Sequence, residues 1–182
     1  NDAPEFFAIG ETIVTWIATD ESGNIVSTGH KVTIIDTISP ILQVPEDIIV
    51  EATSSDQNEV QLGESTATDN GEIISIINDA PEFFALGDTT VTWTVSDSSG
   101  NTSTGNQLVT VIDTTAPGIS QLEDIILEAT SVNENIVNLD EPSTFDIQEL
   151  IIYKDAPDVF PIGNTLVTWI ITDETGNHSV AT

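Results

Sequence analysis

The feature that most limits the fold of this chain is an internal repeat of about 77 residues. The segment 1–10, Asn-Asp-Ala-Pro-Glu-Phe-Phe-Ala-Ile-Gly, returns at 78–87 with one change and more loosely at 154–163. The three tryptophans keep the same spacing, and each lies in a Val-Thr-Trp segment. They are Trp16, Trp93 and Trp169. A period of this length corresponds to one small domain, so we predict a tandem array.

The boundaries of the repeats are predicted from a second recurring segment, Asp-Thr-x-x-Pro. It occurs at 36–40 and 113–117, and we interpret both copies as linkers. Residues 1–35 are then the C-terminal part of one repeat, 36–112 a complete repeat, and 113–182 a repeat without its last strand. The two ends of the chain duplicate rather than complement each other, so we expect a window on a longer array.

Within one repeat, apolar and polar residues alternate as they do in half-buried strands. In 89–96, Val91, Trp93 and Val95 lie on one face and threonines on the other, which predicts a buried role for each tryptophan. Turn residues recur every 8–12 residues or so, a pattern typical of a β-sandwich. The fold class is therefore all-β. The expected strands are 41–52, 59–65, 72–78, 89–96 and 104–112, with a shorter one near 83–86.

The charge of the chain excludes several classes of protein. There are 31 Asp and Glu residues against 2 Lys and Arg, a net charge of −29. Nucleic acid is excluded as a partner, because phosphate binding needs a basic surface. No apolar run approaches the roughly 20 residues of a membrane span. The chain has no Cys, which excludes disulfides, thiol nucleophiles and Cys-ligated zinc.

A fixed order of short motifs runs through the complete repeat. Asp-Thr-x-x-Pro is followed by Pro-Glu-Asp-Ile-Ile-Val-Glu-Ala-Thr at 45–53, Thr-Ala-Thr-Asp-Asn at 66–70, Phe84-x-x-Gly87, Val-Thr-Trp and Asp-x-x-Gly-Asn. This ordered set resembles the hyalin repeat, or HYR domain, over the whole chain. The resemblance implies tandem immunoglobulin-like β-sandwiches in an extracellular adhesion or surface protein. Many animal members carry two cysteines, which this chain lacks.

The alternating direction of the strands predicts where the acidic loops meet. The linker residue Asp36, the loop at 66–70 and the Asp-x-x-Gly-Asn turn at 97–101 are expected at one pole of the complete repeat. The preceding repeat is expected to present Asp2 and Glu5 to the same joint. The next joint is expected to gather the equivalent residues, which are Asp79, Glu82, Asp113, Asp146 and Asp173.

Carboxylates crowded at a joint repel one another, and Ca²⁺ relieves this because it accepts 6–8 oxygen ligands in flexible geometry. We therefore expect Ca²⁺ as a cofactor. The candidate ligands are Asp2, Glu5, Asp20, Asn24, Asp36, Asp69, Asn70, Asp79, Glu82, Asp97, Asn101, Asp113, Asp146, Asp173 and Asn177. The alternative is that Asp, Gly and Asn form ordinary solvated turns. The spacing of an EF-hand is absent.

No catalytic site is expected. A glycosidase needs one carboxyl group with a raised pKa in a cleft, whereas these acids lie in loops of a small module and recur in each repeat. His30 and His178 do not occupy equivalent positions, which argues against a histidine metal site or a catalytic triad. Asn101 and Asn177 also fit the N-glycosylation pattern, a role that conflicts with metal ligation.

These observations predict a structural, non-enzymatic protein on the cell surface. Its calcium-stiffened repeats would build a stalk, filament, sheath or surface layer. The expected partners are neighbouring repeats of the same chain and further copies of it. Two alternatives stay open: an adhesin module that binds glycans or a partner receptor, and a spacer within a larger secreted enzyme.

Overall fold

The computed structural model describes residues 1–182 and consists of strands and loops without helices, which confirms the all-β class. Consequently, none of its elements is a helix that could cross a membrane. The strands in chain order are β1 (Gly10–Thr19), β2 (Ile25–Ile34), β3 (Ile41–Gln43), β4 (Ile48–Glu51), β5 (Thr66–Thr68), β6 (Ile73–Asn78), β7 (Gly87–Asp97), β8 (Thr102–Ile112), β9 (Gly118–Ile119), β10 (Thr144–Phe145), β11 (Ile151–Lys154), β12 (Trp169–Thr172) and β13 (His178–Ala181).

The strands form five small sheets, ordered β1-β2, β3-β5, β4-β8-β7-β6, β9-β10 and β11-β12-β13. The internal contacts divide the chain into two compact units. The first unit contains 1–48, 61–80 and 90–108, and the second contains 49–60, 81–89 and 109–182. Each unit thus includes residues from two of the predicted repeats, whose boundaries stay a prediction.

In the first unit, β1 and β2 form a regular antiparallel hairpin in which Gly10 pairs with Ile34 and Thr19 with Ile25. Our expectation of a buried tryptophan is wrong for this hairpin, since Trp16 is 52% exposed, whereas its equivalent Trp93 on β7 is only 6% exposed. The physical reason is that β1 and β2 form a two-stranded sheet of their own, whereas Trp93 lies in a four-stranded sheet and bonds to the buried Gln107.

In the first unit, β8 packs against the segment 40–46, as expected for two facing layers of a sandwich. Alternate residues of this strand face the segment 40–46. The Ser103 hydroxyl donates to the carbonyl of Pro40 at 2.6 Å. Two residues on, a Cβ added at Gly105 would lie 2.8 Å from Val44 Cγ1, so the two backbones approach closely at this point. A side chain at position 105 would push β8 away from the opposite segment.

The next inward residue of β8, Gln107, is fully buried and uses its whole side-chain amide. Its Oε1 accepts a hydrogen bond from the indole N–H of Trp93 at 3.1 Å. Its Nε2 donates to the carbonyls of Glu46 at 2.7 Å and Leu62 at 2.9 Å. One polar side chain therefore ties β8 to the core tryptophan and to two loop backbones.

Replacing Gln107 with Leu should lower the free energy of unfolding by about 3 kcal/mol, because a buried indole N–H and two carbonyls lose their partner. Urea denaturation measures this change. Gln43 on β3 is exposed, so Gln43→Leu is the matched control and should stay within about 0.5 kcal/mol of the wild type. Equal effects of the two substitutions would contradict the assigned role of Gln107.

Three of the predicted strands differ from the structure. Near 83–86 there is no strand, and only Phe84 pairs, in an isolated bridge to Asn58. The segment 41–52 is split into β3 and β4 by residues 44–47, which include Pro45, a residue without a backbone N–H. The segment 59–65 is not a strand. Its alternation is real, but Gly63 has φ +84°, and the carbonyl of Leu62 accepts from the Gln107 side chain instead of a neighbouring strand.

In the second unit, the side chain of a buried asparagine adds to an isolated antiparallel bridge between Asn58 and Phe84. Asn58 Oδ1 accepts from the N–H groups of Thr53 and Ser54, and its Nδ2 donates to the carbonyls of Ser54 and Phe84. Asn135 makes the equivalent four bonds in the third repeat. Both asparagines follow a Glu-Ala-Thr-Ser segment, so this structural motif recurs with the repeat.

The third repeat has its own core in the second unit. Trp169 and Ile171 on β12 are 4% and 0% exposed, which confirms the buried role predicted for this tryptophan. Lys154 places its Nζ 4.9 Å from the centroid of the Trp169 ring, a cation–π contact.

Candidate metal centres formed by two acidic clusters

The Asp-x-x-Gly-Asn turn between β7 and β8 is a closed network of hydrogen bonds. Asp97 Oδ1 accepts from the N–H groups of Ser99 at 2.9 Å and Asn101 at 2.8 Å. Its Oδ2 accepts from Asn101 Nδ2 at 2.8 Å. Gly100 has φ +89°, a conformation that glycine adopts without steric cost. The turns at 20–24 and 173–177 repeat the arrangement.

This network determines the ionisation of the turn aspartates. Burial raises the pKa of Asp97, but the hydrogen bonds from Asn101, Ser99 and Gly100 outweigh it and lower the pKa below its ordinary value. The same balance lowers the pKa of Asp173 in the third repeat. Both aspartates are therefore charged near neutral pH although they are 0% and 3% exposed.

Three aspartates from separate segments meet beside the first of these buried turns. Asp36 from the linker, Asp69 from the loop between β5 and β6, and Asp97 each place one carboxylate oxygen within 4.8 Å of the others. We call them the first cluster. The convergence agrees with the alternating strand direction used to predict it. Their role as metal ligands stays a prediction.

Two oxygens of the first cluster are buried without a hydrogen-bond donor. They are Asp36 Oδ2 and Asp69 Oδ1. Asp36 is 9% exposed, and its other oxygen accepts from Ile38 N–H and from Asn70 Nδ2, both at 3.0 Å. A buried carboxylate oxygen without a partner is costly, so a cation bound by these two atoms would lower that cost.

The backbone keeps this space open with a glycine. A Cβ added at Gly71 would lie 2.6 Å from Asp36 Oδ2 and 3.2 Å from Asp69 Oδ2. The same position would be 3.7 Å from Ile9 Cδ1, so residues of the first repeat adjoin the cluster. Carboxylate oxygens around a space that a methyl group would fill suit a hard cation such as Ca²⁺.

The chain has no cation of its own for either cluster. Its two basic residues are both lysines, and both are engaged elsewhere. Lys31 pairs with Glu11 across the β1-β2 hairpin, and Lys154 lies over Trp169. Three close carboxylates in a half-buried site therefore repel one another, and neither lysine offsets that repulsion.

Asparagines act around the first cluster as hydrogen-bond donors. Asn101 Nδ2 donates to the backbone carbonyl of Asp36 at 3.3 Å as well as to its own turn. Asn70 Nδ2 donates to Asp36 Oδ1. Asn177 Nδ2 repeats the first arrangement with the carbonyl of Asp113 at 3.1 Å. The amide nitrogens of Asn101 and Asn177, which glycosylation would use, are thus committed to the clusters.

A second cluster occupies the equivalent place in the third repeat. Asp113, Asp146 and Asp173 also place one carboxylate oxygen each within 4.8 Å of the others. Asp113 and Asp173 are buried and Asp146 is half-buried. In this cluster Gln148 Nε2 donates to Asp113 Oδ2 at 2.7 Å and to Thr175 Oγ1 at 3.3 Å.

The other predicted ligands are not members of either cluster. Asp2 and Asp79 instead accept from strand N–H groups, those of Thr15 and Thr92, both at 2.6 Å. Asp20 and Asn24 form an exposed copy of the turn. The last two members of this set, Glu5 and Glu82, are exposed.

A contact that the sequence did not indicate ties β4 to the linker of the next repeat. The Glu51 carboxylate accepts from the N–H of Thr114 at 2.8 Å, from its hydroxyl at 2.9 Å, and from the hydroxyl of Thr115 at 2.9 Å. The Thr114 N–H, followed by the two hydroxyls, lowers the pKa of Glu51. This glutamate anchors the linker and has no need of a metal for that role.

The lowered pKa gives this anchor a defined pH range. The contribution of the Glu51 contact to folding stability is complete above the ordinary glutamate pKa of 4.5. It is lost as the pH falls through the lower pKa of the folded state. In NMR, the amide proton of Thr114 should shift with a midpoint below pH 4.5, and Glu51→Gln should remove that titration. Glu128→Gln, at the equivalent and exposed position, should leave it unchanged. A midpoint at or above 4.5 would contradict the contact.

Comparison with known proteins gives a match to one domain family and to two hyalins. The HYR domain family model matches residues 35–111. Hyalin from Strongylocentrotus purpuratus is 33% identical over 204 aligned residues, which cover 100% of this chain and 16% of that protein. Hyalin from Lytechinus variegatus is 34% identical, over 98% of this chain and 37% of that protein.

The chain thus spans at most 37% of the length of these two hyalins. Among solved structures, protocadherin gamma B2 extracellular cadherin domains 3–6 align with 95% of this chain and 57% of that one, at 14% identity and a TM-score of 0.34. Residues 35–111 therefore match the HYR domain family, and the chain is similar to hyalin over its whole length.

Proposed function

We propose that this chain is part of a structural, non-enzymatic extracellular protein whose repeats are joined by Ca²⁺-binding clusters. The observation that carries the proposal is the first cluster, in which Asp36 Oδ2 and Asp69 Oδ1 are buried without a donor. A divalent cation between them would supply the missing partner for both oxygens and neutralise most of the charge of three carboxylates.

Calcium suits the site better than other common cations do. The available ligands are all oxygens, which excludes the softer metals that favour nitrogen or sulfur. They come from loops rather than a rigid cage, which favours Ca²⁺ over the strictly octahedral Mg²⁺. Dissociation constants of about 10⁻⁴–10⁻³ M are usual for extracellular calcium modules, so a site with three carboxylates would be occupied by Ca²⁺ outside the cell.

A cation at the first cluster would stiffen the joint because its ligands come from three separate segments. Asp36 belongs to the linker, Asp69 to the β5–β6 loop and Asp97 to the β7–β8 turn. Joining them through one ion fixes the linker against the repeat that follows it. Repeats held in this way would serve as a stalk, filament, sheath or surface layer.

Assembly of several copies is supported by the edge of the four-stranded sheet. The strand β6 lies at one end of that sheet, and it exposes Ile74 and Ile77, which are 62% and 61% exposed. An open edge strand with apolar side chains can pair with a strand of another chain. We propose neighbouring repeats and further copies of the chain as the partners.

Calcium added to the EDTA-treated 182-residue chain should raise the melting temperature by on the order of 5–10 °C once its concentration is about a hundredfold above Kd, because only the folded state forms the site. Differential scanning calorimetry measures the shift. Asp97→Asn should reduce it strongly, since one cluster ligand is lost.

Asp20→Asn is the matched control. It removes the same turn bonds from the exposed copy of the turn, which belongs to neither cluster. It should lower stability with and without calcium while leaving the calcium-induced shift intact. A wild-type chain whose melting temperature does not change at millimolar Ca²⁺ would refute the proposed function and leave the carboxylates as solvated surface charge.

A further inference from the structure

The two acidic clusters differ at one position that faces the carboxylates. Position 71 in the complete repeat is glycine, and the equivalent position in the third repeat is Gln148, within Asp-Ile-Gln-Glu in place of Asp-Asn-Gly-Glu. At Gly71 the space beside Asp36 Oδ2 is open, and a Cβ would enter it. At Gln148 the side chain fills the equivalent space.

The same carboxylate oxygen has opposite surroundings in the two clusters. Asp36 Oδ1 and Asp113 Oδ1 each accept from the backbone N–H two residues ahead, at 3.0 Å, so their Oδ2 atoms correspond. Asp36 Oδ2 is buried without a donor. Asp113 Oδ2 accepts from Gln148 Nε2 at 2.7 Å.

The hydrogen-bond network of the second cluster extends beyond this one contact. Thr175 Oγ1 also accepts from Gln148 Nε2 and itself donates to Asp173 Oδ1 at 3.0 Å. The amide therefore bridges the linker aspartate to the β12–β13 turn, which is the connection that a cation would make. A cation that binds in this cluster first has to break the hydrogen bond from Gln148 Nε2 to Asp113 Oδ2.

From this comparison, and resting on the proposed function, we propose that the two clusters have different cation requirements. The first cluster needs a divalent cation to satisfy its buried oxygens. The second cluster is closed by Gln148 in the absence of a cation, so it binds Ca²⁺ more weakly and keeps its structure without it. Position 71 and its equivalent thus determine which joints of the array respond to calcium.

The expected difference in Ca²⁺ affinity between the two clusters follows from the hydrogen bond between Gln148 and Asp113. A hydrogen bond to a charged group changes an equilibrium by roughly ten- to a hundredfold. Isothermal titration of the 182-residue chain with CaCl₂ should therefore show one tighter class of site, abolished by Asp36→Asn and retained in Asp113→Asn. A second class should be at least about tenfold weaker.

Exchanging the two residues gives the decisive pair of variants. Gln148→Gly should open the second cluster and bring its affinity for Ca²⁺ to that of the first. Gly71→Gln should weaken the first cluster by at least about tenfold. Gln57→Gly, at an exposed position, controls for the flexibility that glycine adds. If the Gln148→Gly variant does not fold by circular dichroism, Gln148→Ala removes the amide with less backbone freedom.

The outcomes separate the two proposals. Two sites of equal affinity in the wild type, with no change in the exchanged variants, would overturn the role of Gln148 and leave the proposed function standing. Absence of calcium binding in the wild type and in Gln148→Gly would refute both. Tighter binding at the second cluster than at the first would show that the Gln148 carbonyl oxygen acts as a ligand, and would also overturn the inference.

Discussion

The main constraint on this protein is a group of close carboxylates that its two lysines do not neutralise. Hydrogen bonds within the turn keep Asp97 charged despite its complete burial, and the fold places Asp36 and Asp69 beside it. Both lysines are engaged elsewhere. Asn70 and Asn101 hold the linker at this site through hydrogen bonds, while two carboxylate oxygens of the cluster are left without a donor.

The two clusters differ at one equivalent position beside the linker aspartate. The first cluster keeps its space open with Gly71, and the second fills it with the amide of Gln148. Elsewhere in the fold, neutral polar side chains hold the backbone: Gln107 bonds to the core tryptophan, and Asn58 and Asn135 bond to loop backbone groups beside their bridges to Phe84 and Phe160. Glu51 adds a linker contact made by threonines rather than by an ion. Buried polar groups therefore specify the loops that surround a modest apolar core.

The sequence predicted the features that follow from periodicity and chain direction. Alternation predicted β7 and β8, and the alternating strand direction predicted that Asp36, Asp69 and Asp97 lie close together. It failed where a side chain replaces a backbone partner, as at 59–65, where the Leu62 carbonyl bonds to Gln107. Gln107 itself was hidden because the equivalent position in the first repeat is His30. Asn58 could have been found, since it recurs as Asn135 after the same Glu-Ala-Thr-Ser segment.

The three tryptophans, equivalent in sequence, lie in three different environments. Trp16 is half exposed on an open hairpin, Trp93 is buried with its indole N–H bonded to an amide, and Trp169 is buried beneath an ammonium group. Indole emission moves to longer wavelength in water and responds to a nearby charge. Each repeat therefore contains one tryptophan whose fluorescence reports on its own surroundings. The emission wavelength can thus follow the order in which the repeats unfold.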